Sequence, residues 1–327
     1  MKIAFFETED WEADYMRNKL KGNKIKFFDE ILTKSKVRKI KDIDALAVFV
    51  HSDVDKEILD ELTNLKLIVT MSTGYDHIDL EECKKRGIKV CNVPDYAENT
   101  VAEHTFALIL SLSRKICQSW DDFRKGKQDE DELIGVDLKG KTLGVIGVGK
   151  IGKRVVKMAK AFEMNVIAYD VVKNFNVKYV SLDYLLRNSD IVSLHCPLNE
   201  HTEYLMNKKN ISKMKKGALF INTARGKLVD TIALAKALKE KKLRGIGIDV
   251  LENEEEIKEE PEVLVKKTMH KSKVAKLESS LLKLNNVIIT PHNAFNSEES
   301  ILRLMDETVD NIKSFKRGKV MNCVKAA

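Results

Sequence analysis

The sequence has no apolar run that approaches the roughly 20 consecutive residues needed for a transmembrane helix. Its start, MKIAFFETEDWEAD, becomes acidic at Glu7, which fits neither a signal peptide nor a transit peptide. Internal repeats and low-complexity linkers are also lacking. Of the 327 residues, 43% are hydrophobic and 33% are charged, so we expect a soluble, cytoplasmic protein with room for two domains.

Cysteine and metal-binding patterns are equally sparse. The five cysteines include no CxxC pair, and an odd number without a regular framework predicts free thiols in a reducing compartment. The seven histidines include no HExxH motif and no cluster with cysteine. The sequence therefore predicts no metal site.

The basic run KSKVRKIK, residues 34–41, is open to two interpretations. A nucleic-acid surface is one, but no stacking aromatic residues accompany the run, and acidic residues are interleaved along the whole chain. A solvated lysine-rich surface is the favoured interpretation. No nucleic-acid partner is predicted, although the net charge is +7.

Short apolar segments alternate with lysine-rich helical patterns, which is typical of a parallel α/β architecture. The first strands are predicted at residues 1–6, 46–50, 67–71 and 89–92. A break near residue 100 precedes a long apolar helix over 101–113, for which Thr100 and Glu103 form a predicted capping box. A second strand–helix series begins near residue 141, and a last helix is expected over 297–315.

The strongest local motif is GxGxxG, formed by Gly147, Gly149 and Gly152 between a predicted strand and a predicted helix. In dinucleotide-binding folds the first glycine permits a tight turn, the second lets the backbone approach a pyrophosphate, and the third allows close helix packing. Asp170 ends the next predicted strand, where an acid accepts hydrogen bonds from ribose hydroxyls and disfavours a 2′-phosphate. We therefore predict NAD as the cofactor.

Three further predicted strands end in segments with chemically active side chains. FINTARG ends with Arg225, GIGIDVLENE contains Asp249 and Glu254, and VIITPHNAF contains His292. Because ligands of open parallel sheets bind at the carboxyl ends of the strands, we expect these segments to meet at one crevice.

Together these motifs resemble the D-isomer-specific 2-hydroxyacid dehydrogenase family over essentially the whole chain, and its D-lactate dehydrogenase branch most closely. Other family-like segments are STGYDHID, NVPDYAENTVAEH and SLHCPL. The resemblance implies two doubly wound, parallel-sheet α/β domains, one flavodoxin-like and one Rossmann. Residues 1–99 and 293–327 would form the substrate domain, and 100–292 the NAD-binding domain. It also implies a homodimer, with the helix beginning at Val101 in the interface.

The same resemblance implies roles for individual residues. Arg225 would bind the substrate carboxylate, His292 would act as acid and base, and Glu254 would orient His292. The implied substrate contacts are His51, Thr73, Gly74, Tyr96 and Phe295. The implied cofactor contacts are Thr100, Gly147, Gly149, Lys150, Ile151, Gly152, Asp170, His195, Cys196, Pro197, Thr202, Thr223, Ala224 and Asp249.

The resemblance identifies the substrate less precisely than it identifies the family. Tyr96 and Phe295 favour a short side chain such as the methyl of pyruvate, but His51 stands where D-lactate dehydrogenases are expected to have tyrosine. A charged insert, 255–286, separates Glu254 from His292, and a lid and an inert surface segment both remain open for it. Two other functions also remain open: glyoxylate or hydroxypyruvate reduction, and NADH sensing by a corepressor-like protein.

Overall fold

A computed structural model of the chain describes residues 1–127, 131–252, 274, 277 and 280–324. The chain divides into two compact units. Unit 1 consists of Met1–Ala97 and Asn296–Ala327, and unit 2 of Glu98–Phe295. Unit 1 is therefore discontinuous in sequence.

Unit 1 is built on a five-stranded parallel sheet. Its strands are β1 (Lys2–Phe5), β2 (Lys24–Phe27), β3 (Ala45–Val48), β4 (Leu67–Thr70) and β5 (Lys89–Cys91). The intervening helices are α1 (Asp10–Lys19), α2 (Lys34–Val37), α3 (Lys56–Glu61) and α4 (Leu80–Lys85), and the C-terminal helix is Glu298–Lys316.

The strand order in unit 1 is β2-β1-β3-β4-β5, and every pair is parallel. Strands β3 and β4 are buried along their whole length because helices cover both faces of such a sheet. This order is that of a flavodoxin-like domain, as predicted. The edge strand β2 was not predicted, because its sequence KIKF is only four residues long and half of it is lysine.

Unit 2 contains a seven-stranded parallel sheet. Its strands are β6 (Thr142–Ile146), β7 (Asn165–Tyr169), β8 (Lys178–Tyr179), β9 (Ile191–Leu194), β10 (Ala218–Asn222), β11 (Leu243–Ile248) and β12 (Val287–Ile289). Its helices are α5 (Glu98–Ser113), α6 (Ile116–Arg124), α7 (Lys150–Ala161), α8 (Leu182–Asn188), α9 (Lys208–Lys213) and α10 (Thr231–Lys239).

The order of this second sheet is β12-β11-β10-β9-β6-β7-β8. Successive strands are added on one side of β6 up to β8, and the chain then crosses back to place β9 on the other side. The reversal between β6 and β9 is the topological switch point at which open α/β sheets bind their ligands. Two apolar cores, one on each face, cover the sheet. The predicted Rossmann fold is confirmed.

The start of α5 differs from the sequence prediction. The helix begins at Glu98 rather than at residue 101, so Thr100 lies within its first turn and the predicted Thr100–Glu103 capping box is wrong. The side-chain amide of Asn99 instead donates a hydrogen bond to the Glu103 carboxylate, one helical turn further on. Helix boundaries are the least predictable feature because several polar residues near a helix start can compete for the same role.

Within the part of the chain that the structure describes, no helix is both long and apolar enough to cross a membrane. Over the same residues no group of three or more histidine, cysteine, aspartate or glutamate side chains could hold a metal ion. The cytoplasmic location stays a prediction.

Candidate functional site

The turn after β6 is shaped by backbone contacts that only glycine allows. Gly147 adopts φ +92°, and a Cβ atom there would lie 2.5 Å from the backbone nitrogen of Cys196. A Cβ on Gly152 would lie 2.1 Å from the carbonyl oxygen of Gly147. The turn is therefore pressed against the segment after β9 on one side and against the start of α7 on the other.

Gly149 differs from its neighbours because a Cβ atom there would meet nothing within 4 Å. It is the N-cap residue of α7, and it provides no side chain to cap that helix. The first N–H groups of a helix have no partners inside the helix, and the helix dipole favours an anion beside them. This open, uncapped helix start fits the pyrophosphate of a dinucleotide, and Lys150 and Ile151 lie in its first turn.

Asp170 directly follows β7 and stabilises the glycine turn. Its carboxylate accepts hydrogen bonds from the backbone nitrogens of Val148 (2.5 Å) and Val172 (2.8 Å). A carboxylate has about four acceptor positions, so these two bonds leave capacity for the hydroxyls of a ribose. Asp170 thus lies where the predicted contact with NAD requires an acid.

The segment after β9 places a neutral imidazole near the glycine turn. His195 Nε2 lies 2.8 Å from the Ser193 hydroxyl, whereas its Nδ1 is buried and has no hydrogen-bond partner among the residues that the structure describes. Burial lowers the pKa of His195 to about 3, so the ring is uncharged at neutral pH. A buried polar atom without a partner is costly, which points to a ligand that would satisfy it.

The neighbours of His195 shape the same segment. Burial raises the pKa of Cys196 to about 11, so this side chain is a thiol rather than a thiolate at neutral pH. The hydroxyl of Thr202 donates to the carbonyl oxygen of Pro197 at 2.6 Å and accepts from the backbone nitrogen of Asn199 at 2.8 Å. Thr202 therefore closes the loop that follows His195.

Arg225 lies in the turn after β10, and the buried side chain of Asn222 holds that turn. The Asn222 amide donates to the Arg225 carbonyl at 2.8 Å and accepts from the Ala224 nitrogen at 3.0 Å. A Cβ on Gly226 would lie 1.9 Å from the carbonyl oxygen of Leu251. Glycine thus lets the Arg225 turn pack directly against the segment that follows β11.

Asp249 follows β11 and is the central anchor of this edge. Its side chain is 1% exposed and accepts hydrogen bonds from the Thr290 hydroxyl and from the backbone nitrogens of Asn293 (3.0 Å) and Ala294 (2.9 Å). The backbone nitrogen of His292 donates to the Asp249 carbonyl at 2.8 Å, and His292 adopts φ +53°. Asp249 therefore holds the loop that presents His292.

The residues that support this anchor include two, His104 and Thr290, to which the sequence analysis assigned no role. His104 Nε2 lies 3.1 Å from the Thr290 hydroxyl and 3.6 Å from the Asp249 carboxylate. The Thr223 hydroxyl lies 3.0 Å from that of Thr105, which joins the end of β10 to α5. Thr290 and His104 both lie in segments that resemble the family, VIITPHNAF and NVPDYAENTVAEH, and this was the available signal.

In unit 1, the loop after β4 is fastened to the segment after β5. The Thr73 hydroxyl donates to the Val93 carbonyl at 3.0 Å, and the Asn92 side chain donates to the Thr73 carbonyl at 2.9 Å. Gly74 accepts a hydrogen bond from Ser72. Tyr96 follows the same segment and is buried.

The position of His51 depends on Glu7, a residue that the sequence did not single out. Glu7 adopts φ +58°, and its carboxylate accepts hydrogen bonds from the His51 backbone nitrogen (3.2 Å) and the Ser52 hydroxyl (2.5 Å). The ring of Phe49 meets the His51 imidazole edge-on, with centroids 6.0 Å apart.

Unit 2 thus brings Arg225, Asp249 and His292 to the carboxyl edge of three adjacent strands. Unit 1 carries four of the other predicted substrate contacts, His51, Thr73, Gly74 and Tyr96. Phe295 is half-buried at the end of unit 2. Glu254 and most of the 255–286 insert lie outside the described residues.

Comparison with known proteins gives concordant matches. The model of the family described as D-isomer specific 2-hydroxyacid dehydrogenase, NAD binding domain, matches residues 106–294. The chain is 31% identical to D-lactate dehydrogenase of Escherichia coli (strain K12), over 98% of both sequences. It is 35% identical to glyoxylate reductase of Pyrococcus horikoshii, over 96% of this chain and 88% of that protein.

Among solved structures, the chain is similar to D-lactate dehydrogenase from Aquifex aeolicus complexed with NAD and lactic acid. The TM-score is 0.86 and the sequence identity 39%, and the match covers 97% of this chain and 96% of that one.

The first prediction concerns the glycine cradle. Gly149→Ala should weaken NADH binding at least about tenfold, because the methyl group enters the space left for the pyrophosphate. The melting temperature should change little, since the added Cβ meets no atom of the chain. Fluorescence titration with NADH and thermal melting would test both statements. Gly152→Ala is the matched control and should lower the melting temperature, and unchanged NADH affinity in Gly149→Ala would contradict the placement.

The second prediction concerns His195. Its folded-state pKa of about 3 lies below the ordinary 6.5, so between these values the unfolded chain binds a proton that the folded chain does not. Stability should therefore fall as the pH drops below about 6.5, with a contribution of up to about 1.4 kcal/mol per pH unit.

Denaturant unfolding between about pH 5 and 8 would measure this slope. His195→Gln should have a shallower pH dependence than the wild type. His201→Gln, at a side chain that is 86% exposed, should retain the wild-type slope. Identical slopes in the wild type and His195→Gln would show that the imidazole is not held neutral by burial.

Proposed function

The chain belongs to the D-isomer-specific 2-hydroxyacid dehydrogenase family and is an NAD-dependent oxidoreductase of 2-hydroxy acids; from that premise we propose that it interconverts pyruvate and D-lactate. The observation that carries the proposal is the arrangement around the end of β11. The turn with Arg225 packs against the segment after β11, and the loop with His292 is hydrogen bonded to Asp249 at its end. This places a cation and an imidazole on neighbouring loops of one sheet edge.

Arg225 is proposed to bind the carboxylate of the substrate. A guanidinium group offers five N–H donors in a planar fork, which matches the two oxygens of a carboxylate. One Arg225 guanidinium nitrogen donates to the Ala224 carbonyl at 2.8 Å, which limits the freedom of the side chain, while Asn222 holds the Arg225 backbone carbonyl. The same cation polarises the adjacent carbonyl at C2 of a keto acid.

His292 is proposed to transfer the proton. In the reducing direction its ring N–H donates a proton to the C2 oxygen, and in the oxidising direction the neutral ring accepts it from the hydroxyl. NADH, when bound, supplies the hydride that reaches C2. The loop anchored by Asp249 keeps the imidazole in place, and Glu254 is proposed to orient its ring.

The proposed preference for pyruvate rests on Tyr96, Phe295 and the similarity to a lactate dehydrogenase solved with lactic acid. Thr73, Gly74 and His51 are proposed as further substrate contacts. Glyoxylate is the second candidate, because a glyoxylate reductase matches the chain at 35% identity and the imidazole of His51 suits a more polar substrate. Glyoxylate differs from pyruvate by one methyl group, whose burial is worth only about 1–3 kcal/mol in discrimination.

NADH oxidation would be measured with pyruvate, glyoxylate, hydroxypyruvate, 2-ketobutyrate and phenylpyruvate. We expect the highest kcat/KM for pyruvate, with D-lactate as product. A higher kcat/KM for glyoxylate would replace the proposed activity with glyoxylate reduction. NADH binding without turnover of any of these acids would favour an NADH sensor.

The third prediction tests the roles proposed for the side chains of Arg225 and His292. Arg225→Ala should raise KM and lower kcat together, and His292→Ala should lower kcat by about 10²–10⁴-fold while NADH affinity stays near that of the wild type. Arg244→Ala and His201→Ala are matched controls, because Arg244 lies at the opposite end of β11 and His201 is exposed. Near-normal turnover by either active-site variant would remove the role proposed for that residue.

A homodimer is proposed as well, with a different contact from the one expected. The apolar residues of α5, such as Phe106 and Ile109, are buried within unit 2 itself, so that helix has little apolar surface left for a partner. Helix α6 buries no residue, and Trp120 and Phe123 are 62% and 72% exposed. Exposed apolar groups of this size mark an interaction surface, and a second copy across a twofold axis would cover both.

The fourth prediction follows from this surface. Trp120→Glu should convert a dimer into a monomer in sedimentation velocity, because a charge would be buried at the contact. The chain has only one other tryptophan, Trp11, which is 51% exposed on α1. Trp11→Glu should leave the dimer intact. A dimeric Trp120→Glu variant, or a monomeric wild type, would contradict the proposed interface.

A further inference from the structure

Two cysteines face each other where the end of the chain meets the first sheet. Cys91 is the last residue of β5 and is fully buried, whereas Cys323 is exposed. The two residues form an isolated antiparallel bridge. Among the described residues it is the one β-bridge that pairs two cysteines. Both side chains are free thiols in this structure.

The flanking hydrogen bonds define the geometry of the bridge. The Asn92 nitrogen donates to the Asn322 carbonyl at 3.1 Å, and the Val324 nitrogen donates to the Val90 carbonyl at 2.9 Å. These bonds lie one residue outside Cys91 and Cys323 on either side, so the cysteines occupy a non-hydrogen-bonded position of the ladder. Residues opposite each other there have Cα atoms about 4.5 Å apart and side chains on the same face.

This separation suits a disulfide. Disulfides join Cα atoms that are about 4.4–6.8 Å apart, and the separation typical of such a ladder position falls within this range. In the reduced chain the Cys323 thiol donates to the Val324 carbonyl at 3.6 Å, a weak hydrogen bond that rotation about the Cα–Cβ bond releases.

The register of the C-terminal segment is fixed by neighbours other than cysteine. The Asn322 side chain donates to Glu307 at 2.9 Å and to Asn311 at 3.1 Å, both on the C-terminal helix. Val324 packs against the apolar core of unit 1. The fold therefore places Cys91 opposite Cys323 whether or not their sulfur atoms are bonded.

We propose that Cys91 and Cys323 form a reversible disulfide that fastens the C-terminal segment to β5 under oxidising conditions. A hydroperoxide would react first with the exposed Cys323, whose thiolate attacks one peroxide oxygen and breaks the O–O bond. Cys323 becomes a sulfenic acid, and the other oxygen leaves as an alcohol, or as water when the oxidant is hydrogen peroxide. The sulfur of Cys91 then attacks the sulfenic sulfur. Cys91 loses its proton, the hydroxyl leaves as water, and the disulfide forms. A dithiol reductant returns both thiols.

The environments of the two thiols agree with this order. Burial raises the pKa of Cys91 to about 12, with a smaller contribution from Cys323, so Cys91 is protonated at neutral pH and shielded from bulk oxidant. Cys323 is the accessible partner. Its sulfenic acid would form next to a thiol that resolves it, which is the usual arrangement of a reversible thiol switch.

The disulfide would strengthen the part of unit 1 that supports the loop after β4. Strand β5 leads into Asn92 and Val93, and both of these residues are hydrogen bonded to Thr73. The link would close a covalent loop between β5 and the chain end, which removes conformational freedom from the unfolded state. We therefore expect a more stable unit 1 with an unchanged fold.

The test treats the purified full-length chain with hydrogen peroxide or glutathione disulfide, followed by alkylation, proteolysis and mass spectrometry. We expect a linked peptide pair containing Cys91 and Cys323, formed within a single chain and lost on treatment with dithiothreitol. The melting temperature of the oxidised chain should rise by roughly 5 °C and return on reduction. This measurement needs no substrate, so it is independent of the proposed enzymatic activity.

Three variants test whether the linked peptide and the rise in melting temperature depend on Cys91 and Cys323. Cys323→Ser, at an exposed position, should fold normally and lose both the linked peptide and the rise in melting temperature; Cys91→Ala should do the same. Cys117→Ser, which removes the exposed thiol of α6, should behave like the wild type. Oxidation that ends in Cys323 sulfinic acid, or in disulfides between chains, would overturn the proposal. A Cys91–Cys323 link without any change in melting temperature would also overturn the fastening role.

Discussion

The buried carboxylate of Asp249 holds the loop that presents His292 at the carboxyl edge of the unit 2 sheet. A carboxylate that is 1% exposed is costly to bury unless its oxygens are hydrogen bonded. Here the bonds come from Thr290, Asn293 and Ala294, all on the loop that carries His292. Hydrogen bonds to a charged group are worth about 1.5–3 kcal/mol each, so the same interactions that offset burial also fix the loop. His292 adopts a left-handed backbone conformation, which is unfavourable for a residue other than glycine. The hydrogen bonds between its loop and Asp249 hold the backbone in this conformation.

Close backbone contacts hold further loops in place at the carboxyl edge of this sheet. Gly147 lies against Cys196, and Gly226 lies against Leu251, at distances that leave no space for a side chain. Each contact ties together loops from neighbouring strands at the carboxyl edge. The cofactor cradle and the turn with Arg225 are therefore parts of one connected surface of unit 2, and both depend on glycine for its small size.

Much of this arrangement could be predicted from the sequence. The alternation of apolar and helical segments predicted parallel sheets, and the spacing of Gly147, Gly149 and Gly152 predicted the cofactor turn. Other features could not be predicted. Strand β2 is a four-residue, lysine-rich segment too short for its alternation to stand out, and α5 begins earlier than its capping pattern suggested. The exposure of the aromatic side chains of α6 could not be predicted either, because it depends on which helix face packs against unit 2.

The sequence by itself determined the family, the two sheet domains, the cofactor and the identity of the candidate catalytic residues, because these depend on local motifs in a set order. Only the tertiary structure decided which groups support them. Glu7 beneath His51, His104 beside Thr290, and Cys91 opposite Cys323 are each separated by more than 40 residues in the chain. Contacts of this kind arise from the packing of strands and helices, and no local pattern of residues records them.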